Sequence, residues 1–278
     1  MTSRPKGGTN GGRRPPPPRP AAPPDDEPRK SLRIAGLSAV SALFARDPDR
    51  VERLFFDERL KGAAGDFCRH LAARRRPYRM VDADELAKVA GTVLHGGIVA
   101  VTAPRPVPLL DPADAPRWAA AREPLLLLDG VGNPHNLGAI VRTAAFFGLP
   151  RLVVSDHPAQ ALPSEAAYRV AEGGFEWLEL WRAERFAAIL KRLKPAYRII
   201  GTALDPKRPT VGVEALTRPG GPPVALILGN EEDGLPRATL DACDAVLTLP
   251  GSGRVQSLNV AATAAILIHA LGCAKSGR

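Results

Sequence analysis

Three short stretches of this 278-residue chain collect the residues that could do chemistry. The first, Asp129–Arg142 (DGVGNPHNLGAIVR), carries Asn136 and Arg142. The second, Leu228–Pro236 (LGNEEDGLP), carries Asn230 and Glu231, and the third, Leu249–Asn259 (LPGSGRVQSLN), carries Ser257 and Asn259. Each follows an apolar run that reads as a strand, the place where α/β sheets build their sites. The first stretch imitates a dinucleotide fingerprint through Gly130 and Gly132. His135 stands where the third glycine is needed, however, and Pro134 stiffens the turn. The second spaces Gly229 and Gly234 as a phosphate loop does, with Leu235 in the place of the lysine. Ser155, Asp156 and His157 are neighbours on one strand end and cannot converge as a triad, and no metal-ligand spacing occurs. What remains is glycine-rich backbone, amides, hydroxyls and a few charges, the equipment for orienting ligands and stabilising charge.

The elements that must position these stretches fall into two modules. In the first, residues 31–102, helices are expected over Gly36–Phe44, around Phe67, Cys68, Leu71 and Ala72, and over Asp84–Val89. Strands are expected over Arg53–Phe56, Tyr78–Val81 and Ile98–Val101. Residues 103–123, rich in Pro, Ala and charge, read as a linker with Trp118 as a possible anchor. From 124 to 278 strands alternate with helices. The strands are Leu125–Leu128, Leu152–Val154, Leu178–Leu180, Arg198–Thr202, Val224–Leu228 and Ala245–Leu249. The helices are Ala139–Phe147, Ser164–Val170, Glu184–Leu193 and Leu258–Leu271. Such alternation argues for a parallel sheet covered on both faces. The last helix, LNVAATAAILIHAL, is apolar around nearly its whole circumference, so it packs deep in the domain or at a subunit interface.

The three stretches together resemble the SpoU (TrmH-like) family of RNA ribose 2′-O-methyltransferases, of the SPOUT class. Asn136-Leu137-Gly138 with Arg142 and Ala144 match the pattern N-x-G-x-x-x-R-x-A. Gly229-Asn230-Glu231 with Gly234 match G-x-E-x-x-G, and Ser257-Leu258-Asn259-Val260 match S-L-N-V. Gly36–Val40 and His95–Val99 are similar to the ends of the family's ribosomal-protein-like substrate-binding domain, with Gly96 where many members have Gln. The resemblance spans roughly residues 32–272 and implies a trefoil-knotted parallel-sheet methyltransferase domain behind a small α/β RNA-binding domain. It implies S-adenosylmethionine as methyl donor, no metal, structured RNA (tRNA or rRNA) as substrate, and a homodimer built through the C-terminal domain.

It also implies roles for residues. Arg142 is central, and a guanidinium that stays protonated is better suited to activate the 2′-hydroxyl electrostatically than to act as a base. Asn136 would hold Arg142 or the ribose, Glu231 would orient the arginine or a loop, and Ser257 and Asn259 would contact the ribose or fix the third loop. The donor would lie against Thr202, Leu228, Gly229, Asn230, Gly234, Leu249, Leu258 and Asn259, held mainly by backbone groups. The side chains of Leu249 and Leu258 could equally belong to the core. A non-catalytic RNA-binding or ribosome-assembly protein on the same fold is the alternative.

Composition is consistent with a nucleic-acid partner. Formal charge is +9, of which residues 1–30 hold +4. Arg74, Arg75 and Arg76 form a basic run in the first module, suited to phosphate contacts that position RNA without reading bases. Residues 1–30, with nine prolines and almost no large apolar side chains, are expected to be a disordered Pro/Arg-rich tail. Three cysteines, Cys68, Cys243 and Cys273, without a C-x-x-C spacing suggest structural thiols in a reducing compartment. With no secretory h-region, a cytoplasmic address is expected.

Overall fold

The computed structural model describes Met1 and residues 31–203, 210–217, 220–230 and 233–273. Residues 2–30 of the expected tail and Glu231 lie outside the described residues. The first module runs β1 (Leu32–Ala35), α1 (Leu37–Arg46), β2 (Val51–Phe56), α2 (Gly65–Ala73), β3 (Tyr78–Met80), α3 (Ala83–Ala90) and β4 (Ile98–Thr102). Its strands form a sheet in the order β1-β4-β2-β3. Helix α1 buries Ala39, Val40, Ala42 and Leu43, one stripe at helical spacing. Helix α3 starts where the Asp82 carboxylate accepts from Glu85 N–H and stops at Gly91 in the left-handed region.

Residues 103–123, expected as a linker, are more than a tether. Leu110 N–H donates to Arg182 O at 2.8 Å and Arg182 N–H to Pro108 O at 2.9 Å, so the segment borders the large sheet. Helix α4 (Ala115–Ala120) then buries Trp118, whose ring lies 4.5 Å beneath the Arg151 guanidinium. The sequence showed the anchor, but proline and charge concealed the helix around it.

The second module continues β5 (Leu125–Asp129), α5 (Pro134–Phe146), β6 (Arg151–Ser155), α6 (Glu165–Ala171), β7 (Glu179–Ala183), α7 (Phe186–Leu193) and β8 (Arg198–Thr202). It ends with β9 (Thr210–Val211), β10 (Val224–Gly229), α8 (Arg237–Ala242), β11 (Ala245–Leu247) and α9 (Val260–Cys273). The strands form a parallel sheet in the order β7-β6-β5-β10-β8-β11-β9. Its two faces are legible in β5. Leu126 and Leu128 pack in one core with residues of α5, α6 and α9, whereas Leu125 and Leu127 pack in another with residues of α4, α7 and α8. Full burial of a leucine contributes on the order of 2 kcal/mol, which is why a strand covered twice reads as an unbroken apolar run.

The first of these cores is continuous with that of the N-terminal module. At the junction, the Arg50 guanidinium pairs with the Glu176 carboxylate, both nearly buried. Arg105 donates to Phe175 O at 2.9 Å, and Arg33 N–H donates to Glu165 at 3.1 Å. Burial, with Glu176 beside it, pushes the Tyr168 hydroxyl up to about 12, so it stays protonated there. No helix among the described residues is long and apolar enough to cross a membrane.

Candidate active site

The residues singled out above hang from the C-terminal ends of β5, β10, β8 and β11, which are adjacent in the sheet. The first loop is built by glycine and amide contacts. Gln160 Oε1 accepts from Gly130 and Val131 N–H at 3.0 and 3.1 Å, and its Nε2 donates to Val131 O at 3.2 Å. Gly130, at φ 83°, lies against the His157 ring. Helix α5 then begins at Pro134, five residues earlier than its apolar spacing indicates. Asn133 Oδ1 caps it by accepting from His135 N–H at 2.8 Å, and proline suits the first helical position. Asn136 therefore sits on the helix's first turn, not in a loop, with Arg142 further along the same helix.

The glycine and alanine of the first motif are structural. A Cβ on Gly138 would lie 2.5 Å from Ala167 O, so α5 and α6 touch backbone to backbone, and Ala144 is fully buried. Arg142 is exposed and pairs with Glu172 at 3.0 Å. Glu172, in the turn after α6, was not visible in the sequence, because nothing in its neighbourhood marks it as facing α5.

The two ends of the second loop pair with each other. Asn230 N–H donates to Gly234 O at 3.0 Å and Gly234 N–H returns to Asn230 O at 3.1 Å. Only glycine fits at 229, where a Cβ would lie 2.7 Å from the Gly234 carbonyl, and Gly234 has φ 70°. Asn230 Nδ2 donates to Gly130 O at 2.9 Å, which ties the second loop to the first. Leu228 is fully buried, so its backbone is what it can offer a ligand. Thr202 Oγ1 donates to Ile227 O at 3.0 Å and locks the end of β8 to β10.

The third loop joins them. Asn259 Nδ2 donates to Asn136 Oδ1 at 3.2 Å, while its Oδ1 accepts from Ala261 N–H at 2.8 Å and caps α9. Ser257 is exposed on the same loop. Leu249 is half-buried against the main core, but Leu258 is 51% exposed, in a loop whose Gly251 and Gly253 border open space. An exposed leucine among backbone N–H and C=O groups can cover a planar, weakly charged ligand. Among the described residues no group of His, Cys, Asp or Glu is placed to hold a metal.

The other candidate chemistry resolves into structure. Asp156 accepts from Arg185 and Phe186 N–H and caps α7, and His157 Nδ1 accepts from Ala159 N–H. Asp129, buried at the end of β5, accepts from Thr239 Oγ1 at 2.6 Å. The basic run divides by role. Arg76 donates to Val51 O at 2.6 Å and to Asp49 O, and Arg74 pairs with Asp49. Arg75 is exposed, at φ 54°.

The fold is a parallel α/β sheet with three loops gathered at one end, and comparison with known proteins gives its class, an RNA methyltransferase. Residues 123–269 match the SpoU rRNA methylase family, and residues 33–108 match the RNA 2′-O ribose methyltransferase substrate-binding domain. The chain is 33% identical over 243 residues to the 23S rRNA (guanosine-2′-O-)-methyltransferase RlmB of Acinetobacter baylyi, covering 84% of this chain and 94% of that one. It is 31% identical over 240 residues to the uncharacterized tRNA/rRNA methyltransferase YfiF of Escherichia coli O157:H7, covering 85% of this chain and 66% of the longer relative. An rRNA methyltransferase from Sinorhizobium meliloti superposes with a TM-score of 0.71 at 21% identity, covering 87% of each chain. The SpoU methyltransferase AviRb from Streptomyces viridochromogenes gives 0.67 at 22%, covering 89% of this chain and 91% of that one. The chain belongs to the SpoU family of RNA 2′-O-ribose methyltransferases.

Proposed function

We propose that this enzyme methylates a ribose 2′-hydroxyl of ribosomal RNA, using S-adenosylmethionine, with Arg142 as the residue that activates the hydroxyl. The observation that carries the reading is the convergence of the three loops through Asn136–Asn259 and Asn230–Gly130 at one end of the sheet. The donor supplies an electrophilic methyl on a sulfonium, and the protein's task is alignment and charge management. The backbone of 228–234 and 247–259, with Leu249 and Leu258, fits a donor held by main-chain groups in the knotted cleft that the family resemblance implies. Asn136 and Asn259 brace the first loop against the third, and Ser257 faces the ribose. Arg142 holds positive charge beside the 2′-oxygen as its proton leaves, with the adjacent phosphate as acceptor, since a guanidinium remains protonated at neutral pH. Glu231 belongs to the same second loop and orients it.

The N-terminal module supplies the RNA grip, through Arg75 most directly. The working unit is a homodimer. Phe146 on α5 is 82% exposed and Ile266 on α9 is 45% exposed, and the two helices pack together. A second copy is the partner that would cover these two apolar side chains.

Ribosomal RNA is preferred because the RlmB relative, which this chain nearly spans, is named for it. The test is mass-spectrometric mapping of 2′-O-methyl nucleotides in total RNA from the source with and without the gene. Loss of one ribosomal position supports the reading. Loss of a tRNA position overturns the choice of substrate, and an unchanged map overturns the activity.

A further inference from the structure

The residue that holds Arg142 does so from a backbone conformation its own type disfavours. Glu172 lies at φ 45°, ψ 44°, in the left-handed region, and is followed by Gly173 at φ 91° and by Gly174. Glycine would relieve position 172 as well, since a side chain there costs backbone energy. The chain keeps a glutamate nonetheless. Its carboxylate is half exposed, and among the described residues its ion-pair partner is Arg142. An exposed pair of this kind adds little to stability, so the gain that offsets the strain lies elsewhere.

The turn is held from both sides. A Cβ on Gly173 would stand 2.6 Å from Ala42 Cβ of α1, and one on Gly174 would stand 3.2 Å from the Cα of Arg142 itself. The backbone from which Glu172 reaches Arg142 is therefore fixed against α5 by close packing. A guanidinium held at one terminal nitrogen by a carboxylate is biased toward one orientation, with its other N–H groups left to face a ligand.

We propose that Glu172 is a positioning residue for Arg142, fixing the aim of the guanidinium at the ribose. The inference rests on the role given to Arg142 above. The test uses the full chain, labelled S-adenosylmethionine, and RNA purified from a strain lacking the gene. It compares Glu172→Gln, Glu172→Gly and Glu172→Asp with the wild type and with Arg142→Ala, reading kcat, KM for RNA, donor affinity and thermal midpoint.

The Gln and Gly variants should lose about tenfold or more in kcat, as a misaimed group does, with KM and donor affinity nearly unchanged. The Gly variant should melt no lower than the wild type, which separates the loss from unfolding, and the Asp variant should recover part of the rate. If Arg142→Ala is inactive while Glu172→Gln and Glu172→Gly turn over normally or faster, this inference alone is overturned. If Arg142→Ala retains turnover, the role of Arg142 fails and this inference fails with it.

Discussion

Asn259 reaches across 123 residues of sequence to donate a hydrogen bond to Asn136 at 3.2 Å, and with its other amide atom it caps α9. The two jobs can be separated. Serine also caps helices well but is too short to keep the contact with Asn136, whereas alanine does neither. Asn259→Ser should keep stability within about 0.5 kcal/mol of wild type and Asn259→Ala should lose about 1 kcal/mol. Both should transfer methyl slowly. Thermal melts and turnover measured on the same samples check this, and a fully active Ser variant would contradict it.

Gly138 carries the contact between α5 and α6. Gly138→Ala puts a Cβ 2.5 Å from Ala167 O and 2.9 Å from Val170 Cβ, and backbone cannot give way as a flexible side chain would. The helices must separate, at a cost of about 1–3 kcal/mol. Urea unfolding should show the loss as a lowered midpoint with an unchanged slope. An unshifted midpoint would mean that the helices adjust freely.

Much of this was legible in the sequence, for identifiable reasons. The central strands β5, β6, β8 and β10 announce themselves because burial on both faces leaves their middle positions without polar side chains. The site loops were legible because their glycines and amides follow β5, β10 and β11 at family spacing. What was hidden was hidden physically. The start of α5 was missed because Pro134 reads as a turn until Asn133 is seen to cap it. The short α8 and β9 offer too few residues for a period. The pairing of Arg142 with Glu172 depends on how two helices and a Gly-Gly turn pack, which no local pattern encodes.

The arginines of the basic run should behave differently from one another. Arg75→Ala should weaken RNA binding and flatten its salt dependence by about one slope unit while leaving the melting temperature unchanged. Arg76→Ala should lower stability, since Arg76 ties the carbonyls of Asp49 and Val51. Filter binding over a salt series, with a chain lacking residues 1–30 in parallel, decides between module and tail. An unchanged slope for Arg75→Ala, with a flattened one for the tail deletion, would make the tail the electrostatic arm.

Exposed Phe146 on α5 and Ile266 on α9 predict self-association. The 29.5 kDa chain should sediment at micromolar concentration as a species of about twice that mass. Phe146→Ser with Ile266→Ser should shift it toward monomer without unfolding it. A wild-type protein that sediments only as a monomer would contradict the dimer.

The most direct measurement is transfer of labelled methyl from S-adenosylmethionine to RNA from a strain lacking the gene, with the product digested in alkali. A 2′-O-methyl group blocks cleavage at its own nucleotide, so label on the ribose survives as an alkali-stable dinucleotide. Wild type should give that product. Arg142→Ala and Arg142→Lys should give none while binding the donor within a few-fold of wild type, because donor contacts come from other loops and a point charge cannot reproduce the planar fork. Label recovered only in mononucleotides, as base methylation would give, or substantial turnover by Arg142→Lys, would contradict the account.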